Sequence, residues 1–567
     1  MKKITFIISV LFFLVFGIES CNDDLDVKNY SALNPSDTWN DQVLANAYLT
    51  DLYSYLSGWP INDGGKADES DGIIANGYVQ TTNSNFKYWP YTAIRKINIL
   101  LDEIDGGSLP DDVRNKIKGQ AYFLRAYHYF KTVVYHGGVP IIKKPQLLTD
   151  DLMVARNTTK ECFDFILSDL ENAIGVLPDK YTGDDFGRID KATALAFKGR
   201  VLLFKASPQF NPSNPFGNTF WQEAYTAAKA AKDQLESWGY GLVSNYDDIF
   251  LTEKHKEVVF PIIYTNPGKL NSREAGIRPL SQSKNATGYD QPIWSLVSNF
   301  PMKDGKLPGK SSVYTYNLQT YWQSRDPRFY STIAYNACVL PLGVSSDHRQ
   351  YNDGIVGNID DGFFQGETFE RTGFYCRKGM DNSLKQAEVG LNALDWIEIR
   401  FAEVLMNFAE AANETGHPAE ALEVLKKIRQ RAGIDPGVDG MYGITATTKE
   451  QIRDAIHFEN YIEFAFEGKR FWELRRLRLL HTSIDGTRKY GLLATLKAGL
   501  DPNAKVTYLP EDFDYAVQEL FVKSAEKTMY TPESYYFFPI SKDEMDKNAN
   551  LKQNAGWDNG TFDPTLK

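Results

Sequence analysis

Apolar residues recur at helical spacing in two long blocks of the chain, near residues 37–240 and 395–482. In the first block one stripe falls at positions i, i+4, i+7 and i+11, namely Phe123, Tyr127, Phe130 and Val134. This is the spacing of one buried face of a helix. Gly137, Gly138 and Pro140 follow the stripe and predict the end of that helix. The pattern therefore predicts helices as the main element of both blocks.

The second block contains a pattern that is typical of two helices joined by a short turn. Its first stripe consists of Ile397, Phe401, Val404, Phe408 and Ala411. After Gly416 the chain restarts with Pro418, which favours the first turn of a helix, and the second helix is expected to stop at Gly433. The second stripe consists of Ala421, Val424, Leu425, Ile428 and Ala432. The hairpin from Trp396 to Ala432 comes close to the period of about 34 residues of a tetratricopeptide unit.

Similar helix pairs can be drawn in the first block. They join Ala121–Val134 with Cys162–Leu177, and Ala192–Ala206 with Trp221–Trp238. Repeated helix pairs bury their apolar faces by stacking on their neighbours, so the pairs are predicted to form a continuous stack. We therefore expect a mainly α fold, a tetratricopeptide-like, right-handed helical stack of about four helix pairs.

The segment between the two blocks, about residues 241–394, has a different pattern. It is rich in Gly, Pro, Asn and aromatic residues, and its apolar runs are short, as at Val258–Tyr264 and Phe329–Tyr335. Short runs between turn residues predict short strands and long loops. Because long loops in a compact protein are more often functional than idle, this segment is expected to be the variable, ligand-facing part.

Residues 1–20 have the pattern of a lipoprotein signal peptide. A basic start and an apolar run, Ile4–Ile18, precede Cys21. The run is too short to span a membrane comfortably, and the segment is expected to be removed. Cys21 is the predicted lipidation site, and the acidic stretch after it resembles the export signal of lipoproteins that face the cell exterior. The remaining residues, 21–567, are expected to form a single domain.

Charge and composition disfavour several classes of partner and cofactor. The net charge of −11 argues against nucleic acid and anionic membrane surfaces as partners. Cys162, Cys338 and Cys376 show no CxxC spacing, which argues against a zinc site or a disulfide framework, and a Cys338–Cys376 bridge stays open. The seven histidines form no HExxH motif, so we expect no metal and no cofactor.

Three glutamates at every fourth position raise the question of an active site: Glu459, Glu463 and Glu467. Paired carboxylates can serve as a general acid and a general base. On one helix face, however, they are expected to form ion pairs with Lys469, Arg470 and Arg475 or with a neighbouring helix. Since no constellation of catalytic residues accompanies them, the protein is predicted not to be an enzyme.

A Gly-rich loop carries four further carboxylates: Asp63, Asp68, Glu69 and Asp71. Their oxygens could bind Ca²⁺, but the segment lacks the ligand spacing of an EF-hand. Hydrogen bonds to the hydroxyl groups of a ligand are the favoured interpretation, and calcium stays an open alternative.

Several longer motifs resemble the SusD/RagB family and come in the order of that family. They are Ala121–Phe130 with Gly137–Pro140, Arg188–Ala206, Ile399–Ala411, Arg429–Gly433, Phe466–Leu474, Phe538–Ile540 and Gln553–Trp557. Ala555 stands where the family usually has Pro. The resemblance implies a tetratricopeptide-like fold and a lipid-anchored outer-membrane protein that faces the cell exterior. It further implies that the protein binds glycan or oligosaccharide and delivers it to a SusC-like TonB-dependent transporter.

The resemblance leaves the ligand open, because members of the family bind different glycans and some relatives take peptides. Two alternatives come from other functional classes, a helical-fold enzyme that cleaves glycans and a repeat adaptor that binds only protein. An enzyme would shorten an oligosaccharide, whereas a binding protein would leave it intact.

Aromatic residues make up 13 % of the chain, and many of them lie in predicted loops: Trp59, Tyr78, Tyr88, Trp89, Tyr289, Trp294, Tyr314, Tyr316, Tyr321 and Trp322. An aromatic plane can stack on the apolar face of a sugar ring while nearby polar groups meet its hydroxyls. The resemblance implies that binding aromatics come from loops around the early helices, and loops of the middle segment commonly carry recognition. The predicted ligand platform consists of Trp89, Trp294 and Trp322, with Trp59 and Tyr78 in support and Asp68 or Glu69 as hydroxyl partners.

Overall fold

The computed structural model describes residues 35–83, 85–279, 289–340, 372–501, 507–520 and 528–566. Its α-helices are α1 (Gln42–Tyr53), α2 (Tyr91–Glu103), α3 (Asp111–His136), α4 (Thr159–Val176), α5 (Lys191–Ala206), α6 (Phe220–Ser237), α7 (Asp248–Leu251), α8 (Arg273–Ile277), α9 (Trp294–Asn299), α10 (Pro327–Thr332), α11 (Phe401–Glu414), α12 (Pro418–Ala432), α13 (Lys449–Glu463), α14 (Arg470–Arg476), α15 (Leu480–Ser483) and α16 (Lys542–Lys547). Its strands are β1 (Val258–Ile262), β2 (Ile333–Tyr335), β3 (Phe374–Cys376), β4 (Trp396–Arg400), β5 (Tyr490–Leu496) and β6 (Phe513–Glu519). The signal peptide and Cys21 lie outside the described residues. None of the described helices is long and apolar enough to cross a membrane.

Consecutive helices pack in pairs, and the pairs pack on one another. Helix α3 packs against α4, α5 against α6, and α11 against α12. Between the pairs, α4 contacts α5, α6 contacts α11, and α11 also contacts α13. Helices α1 and α2 both pack on α3. The predicted tetratricopeptide-like stack is therefore confirmed.

Local capping chemistry explains where the helices of the stack begin and end. Thr158 and Glu161 form a reciprocal capping box at the start of α4. Helix α12 begins at Pro418. Proline is tolerated there because the N–H groups of the first turn have no acceptor within the helix. The helix ends where Gly433 takes a φ of 81°. Helix α3 ends before Gly137, as the sequence predicts, and a Cβ atom at this glycine would lie 2.4 Å from Pro564. Glycine is therefore the residue that this turn accepts.

Two apolar cores organise the described part of the chain. The larger lies within the helical stack and includes the predicted stripe of α3, Phe123, Tyr127, Phe130 and Val134. The smaller gathers side chains of the middle segment, among them Phe329 and Phe374, together with residues of β5 and β6. It also includes Ile462 of α13, so the middle segment is held against the stack through that helix. Full burial of a large apolar side chain contributes about 1.5–3 kcal/mol.

The strands form two-stranded antiparallel sheets, in which β1 pairs with β4, β2 with β3, and β5 with β6. The predicted strand at the start of the middle segment is confirmed over Val258–Ile262. At Phe329–Tyr335, however, the first part is helix α10 and the strand begins only at Ile333. Pro327 at the first turn and Asp326 as its cap explain this helix.

The predicted helix that starts at Trp396 is wrong in its first turn. Trp396–Arg400 is strand β4, and α11 begins at Phe401. Strand β4 pairs with β1, which places Trp396 opposite Ile262 and Arg400 opposite Val258. The hydrogen bonds of this distant partner decide the local conformation, although Ile397 also fits the helical spacing.

The glutamates spaced every fourth residue lie in a buried ion network. These glutamates are Glu459, Glu463 and Glu467. The cations that form ion pairs with them include Arg328, Arg400, Arg429, Arg431 and Lys378. Arg400 donates to Glu463 at 2.7 Å and to Glu467 at 2.9 Å. Burial alone would raise the pKa of Glu463, but the surrounding cations outweigh it and hold that pKa well below its ordinary value. Ion pairing with a neighbouring helix is confirmed. The alternative partners are wrong, because Lys469 pairs with Glu403, Arg470 pairs with Asp68, and Arg475 donates to backbone carbonyls.

The three cysteines of the described part are buried and form no disulfide. Cys338 and Cys376 are therefore not bridged. Burial raises the pKa of the Cys162 thiol to about 12 and that of Cys376 to about 11. Because the thiolate is the nucleophile, the Cys162 and Cys376 thiols are expected to react only weakly at neutral pH.

Candidate binding cavity

A cavity of about 410 Å³ lies among α3, α5, α11 and α14 and the loop that follows α1. We call it the stack cavity. Its lining includes residues of five separate segments: 57–69, 127–135, 197–204, 396–407 and 460–476. Its volume falls in the range of about 300–1,000 Å³ that is typical of small-molecule sites.

Aromatic side chains form part of the cavity wall. The rings of Tyr135 and Trp472 lie 4.7 Å apart between centroids, at an interplanar angle of 35°. Both side chains are half-buried, so each keeps part of its surface available. Trp59 and Trp396 form a second pair at 5.0 Å. Such rings present flat apolar surfaces at the edge of the cavity.

Ion pairs hold the polar wall of the cavity in place. The guanidinium of Arg200 donates to Glu398 and to Glu403, each at 2.6 Å, and Lys469 also pairs with Glu403. Burial alone would raise the pKa of Glu403, but Arg200 and Lys469 outweigh it and lower the pKa to about 2. These two carboxylates are therefore fixed hydrogen-bonding groups that stay ionised at neutral pH.

One face of α3 supplies three neighbouring groups of the cavity. Tyr127, Lys131 and Tyr135 follow each other at every fourth position, and all three line the cavity. The Lys131 ammonium donates to the Ser57 hydroxyl at 2.6 Å. It also lies 4.8 Å from the ring centroid of Tyr88 and 5.4 Å from that of Tyr127. The helix thus presents a cation between aromatic rings.

The acidic loop at residues 63–71 reaches the cavity through Asp63 and Glu69. Burial raises the pKa of Glu69 to about 8, although its carboxylate accepts the backbone N–H of Phe466 at 3.0 Å. Glu69 is therefore largely protonated at neutral pH. Its side chain is only 2 % exposed, which limits it to a small contact with any ligand.

The sequence leaves calcium as an alternative ligand for the same loop. The ammonium of Lys489 donates to the backbone carbonyls of Gly65, Ala67 and Ser70 at 3.0, 2.8 and 2.6 Å. A lysine thus takes the position at the centre of the loop's carbonyl oxygens. Within the described ranges no group of three or more Asp, Glu, His or Cys side chains is arranged to hold a metal ion.

Two residues of the predicted platform and its hydroxyl partners line the cavity, Trp59 and Glu69. The Trp59 indole N–H donates to the Leu394 carbonyl at 2.8 Å, so its polar edge is already used. Asp68 does not line the cavity but accepts two hydrogen bonds of 2.9 Å from Arg470, which does.

The other predicted platform residues lie elsewhere. Half-buried Trp89 packs against Tyr91 and His136, and half-buried Tyr78 packs against Phe86. Trp294 and Trp322 both contact Tyr321 in the smaller core, where Trp294 is half-buried and Trp322 is 6 % exposed. The three platform tryptophans therefore do not gather around the stack cavity, and their binding role stays a prediction.

Sequence reasoning missed the cavity residues Lys131, Tyr135, Trp396 and Trp472. Lys131 and Tyr135 follow Tyr127 on α3 at every fourth position. Because a lysine interrupts this row, the apolar pattern does not reveal that the three residues share one face of the helix. Trp472 directly follows the buried Phe471, and adjacent residues of a helix point in different directions. That adjacency is a signal that one of the two rings faces away from the core.

Two family models together cover most of the chain. The model of the SusD family matches residues 256–557. A second model, described as starch-binding and associating with the outer membrane, matches residues 25–203. The first match alone spans more than half of the sequence.

Comparisons with individual proteins also show similarity to SusD-like proteins. A SusD-like protein of Formosa agariphila is 24 % identical over 523 residues, which cover 83 % of this chain and 91 % of that protein. The structure of a SusD-like carbohydrate-binding protein of Bacteroides fragilis superposes with a TM-score of 0.73 at 21 % identity, covering 91 % of this chain and 100 % of that one. A laminarin-binding SusD-like protein superposes with a TM-score of 0.62 at 19 % identity, over 91 % of this chain and 100 % of that one. With its fold, its motifs and these matches, the chain belongs to the SusD family.

Proposed function

We propose that this protein captures a glycan or oligosaccharide at the cell surface and delivers it to a SusC-like TonB-dependent transporter of the outer membrane. The observation that carries the proposal is the stack cavity, where the Tyr135–Trp472 pair and ion-paired polar groups line one space. A sugar ring has an apolar face and an edge of hydroxyls, and this lining offers a partner for each.

The polar groups of the cavity suit hydroxyl recognition because neighbouring ions already fix their positions. Glu398 and Glu403 present carboxylate oxygens, and Arg200 holds both of them. Asn407 and Asn460 add amides to the same lining. Groups that need no reordering when the ligand arrives lose less entropy on binding, which favours affinity.

Similar proteins support both the ligand class and the place of action. One protein of similar structure is a carbohydrate-binding protein, and another binds laminarin. One of the two matching families is described as associating with the outer membrane. A lipid on Cys21 would hold the protein at that membrane, facing the cell exterior. We propose Trp59 and Glu69 as ligand contacts in the cavity, and half-buried Tyr78, Trp89 and Trp294 as contacts for glycan outside it.

Binding without cleavage is the proposed outcome. A glycan-cleaving enzyme needs two opposed carboxyl groups, one of which has a raised pKa. In the cavity Glu69 has the raised pKa, but it is buried and bonded to the backbone of Phe466. Glu398 and Glu403 are held by Arg200. These carboxyl groups are held by hydrogen bonds and ion pairs within the protein, which does not fit a general acid opposite a general base.

Calorimetric titration with laminarihexaose, maltoheptaose and other defined oligosaccharides tests the ligand class, with the products analysed by chromatography afterwards. We expect saturable binding of at least one oligosaccharide and recovery of that oligosaccharide at full length. Shortened products would favour the enzyme, and binding of peptides alone would contradict the glycan proposal.

The transporter is tested separately, by gentle solubilisation of membranes that contain this protein and a candidate SusC-like barrel. We expect the two to purify together. Recovery of the free protein only, in several mild detergents, would contradict the delivery step and leave the binding result untouched.

A further inference from the structure

The ammonium group of Lys131 stands in the stack cavity between aromatic rings. Its one hydrogen bond within the described part of the chain goes to the Ser57 hydroxyl. The faces of Tyr88 and Tyr127 favour a cation, but they carry no charge that could neutralise it. An ammonium has three N–H donors, so two remain for another acceptor.

The other cations of the cavity each have a carboxylate partner within 4 Å. The pairs are Lys66 with Asp63, Arg200 with Glu398 and Glu403, Lys469 with Glu403, Arg470 with Asp68, and Arg476 with Glu410. Among the residues that the structure describes, Lys131 has no such partner. It is therefore the cavity cation whose charge the protein leaves uncompensated at short range.

The nearby acids that the structure describes form no direct ion pair with Lys131. The surrounding tyrosines and, less strongly, Glu398 outweigh burial and hold the pKa of Lys131 above its ordinary value, so the ammonium stays protonated. Glu398 attracts it only at longer range, because one Glu398 oxygen accepts from Arg200 at 2.6 Å and the other accepts the Trp396 indole N–H at 3.1 Å. Burial raises the pKa of Glu69 to about 8, which leaves that carboxyl largely neutral at pH 7. The side chain of Lys131 is half-buried, and its ammonium has no carboxylate within 4 Å among the described residues, so a bound anion would gain a direct ion pair at this position.

We infer that the stack cavity takes a sugar residue with an anionic substituent, either the carboxylate of a uronic acid or a sulfate ester, and that this group pairs with Lys131. The inference rests on the proposed function and narrows its ligand class. Tyr135 lies one helical turn from Lys131 on the same face of α3, beside Trp472, so the sugar ring has an aromatic partner next to its charge.

The probes that test this inference are glucuronate, glucose 6-sulfate and glucose, added to the full chain labelled with ¹³C at the lysine ε-carbons. The Lys131 signal is identified by its loss in Lys131→Arg, which keeps the positive charge. We expect a saturable shift of this signal with one or both anionic sugars and no such shift with glucose. The two anionic probes distinguish a carboxylate from a sulfate preference.

Variants give an independent measurement by calorimetry. Lys131→Met should weaken binding of the preferred anionic sugar about tenfold or more, because it removes a charge-assisted hydrogen bond. Lys131→Arg should retain most of the binding. The matched control is Lys116→Met, which removes an exposed lysine of the same helix that pairs with Asp112; its binding should be unchanged.

Two results would overturn the inference: no saturable shift of Lys131 with either anionic sugar, or an equal shift with glucose. If neutral oligosaccharides bind in the cavity and the charge at residue 131 makes no difference, the inference fails and the proposed function stands. If no oligosaccharide of any kind binds, the proposed function fails first.

Discussion

The ammonium of Lys489 donates a hydrogen bond of 2.6 Å to the backbone carbonyl of Ser70, across more than 400 residues of sequence. Two further bonds go to the carbonyls of Gly65 and Ala67. One side chain at the start of the β5–β6 hairpin thus shapes the loop that carries Glu69 to the stack cavity. Burial lowers the pKa of Lys489 to about 8, so the ammonium form still prevails at neutral pH.

Replacing Lys489 by Met should destabilise the protein and loosen this loop. The change leaves buried carbonyl groups without a donor, and each buried unsatisfied group costs about 1–3 kcal/mol. Denaturant unfolding measures the loss of free energy. The matched control is Lys497→Met, which removes an exposed lysine that donates to the Glu511 carbonyl and should change the free energy by less than about 0.5 kcal/mol. Equal stability of the two variants would contradict the structural role of Lys489.

Glu69 should make the stability of the wild-type protein fall as pH rises. Its pKa is about 8 in the folded protein and near 4.5 when unfolded, so the folded state binds more protons between these values. The free energy of unfolding then decreases by up to about 1.4 kcal/mol per pH unit in that window. Glu69→Gln removes this dependence and keeps an acceptor for Phe466.

The measurement compares denaturant unfolding of the wild type and Glu69→Gln between pH 6 and 7.5. Burial also raises the pKa of the neighbouring Asp290, to about 6, but both proteins contain this group, so its titration largely cancels in the difference between them. We expect the difference in stability to move in favour of Glu69→Gln as pH rises. A difference that stays constant would show that Glu69 does not titrate there.

Arg400 should be among the most sensitive positions of the scaffold. It donates to Glu257, Glu463 and Glu467, and its side chain is fully buried. Arg400→Met should cost about 3–5 kcal/mol, because removing one partner of a buried ion pair leaves uncompensated charge. Arg488→Met breaks an exposed pair with Glu519 and should cost less than about 1 kcal/mol in the same unfolding experiment. Similar costs for both variants would contradict the network's importance.

The anchor is tested by Cys21→Ala in cells. Without the thiol, no lipid can be attached, so the protein should leave the membrane fraction. Fractionation with and without detergent measures this. A variant that still partitions with membranes would contradict the lipoprotein prediction.

The parts of the fold that depend on nearby residues could be predicted from the sequence. Helix α12 starts at Pro418 and stops at Gly433 because both boundaries are set by local backbone chemistry. Strand β4 could not be predicted, since its conformation depends on pairing with β1, more than a hundred residues earlier. Periodicity alone assigned Ile397 to the following helix.

The candidate site was harder to predict than the scaffold. The loop positions of Trp59 and Glu69 favour a ligand-facing role, and both residues line the cavity. Lys131 and Trp472 could not be predicted because both lie within helices. There the pattern of apolar residues assigns most aromatic side chains to the core, and a single lysine is typical of a solvent-facing position. Only the packing of α3 against the segment around α14 shows that these side chains share one space with the loop that follows α1.

The most direct test of the central claim, that the stack cavity binds the glycan, is calorimetric titration of Trp472→Ala with the best oligosaccharide of the panel. Losing the stacking and its contact area should weaken binding about tenfold, while the melting temperature stays close to that of the wild type. The control is Trp238→Ala, which removes a half-buried tryptophan outside the cavity and should bind normally. A folded Trp472→Ala protein that binds the oligosaccharide as tightly as the wild type would contradict the account.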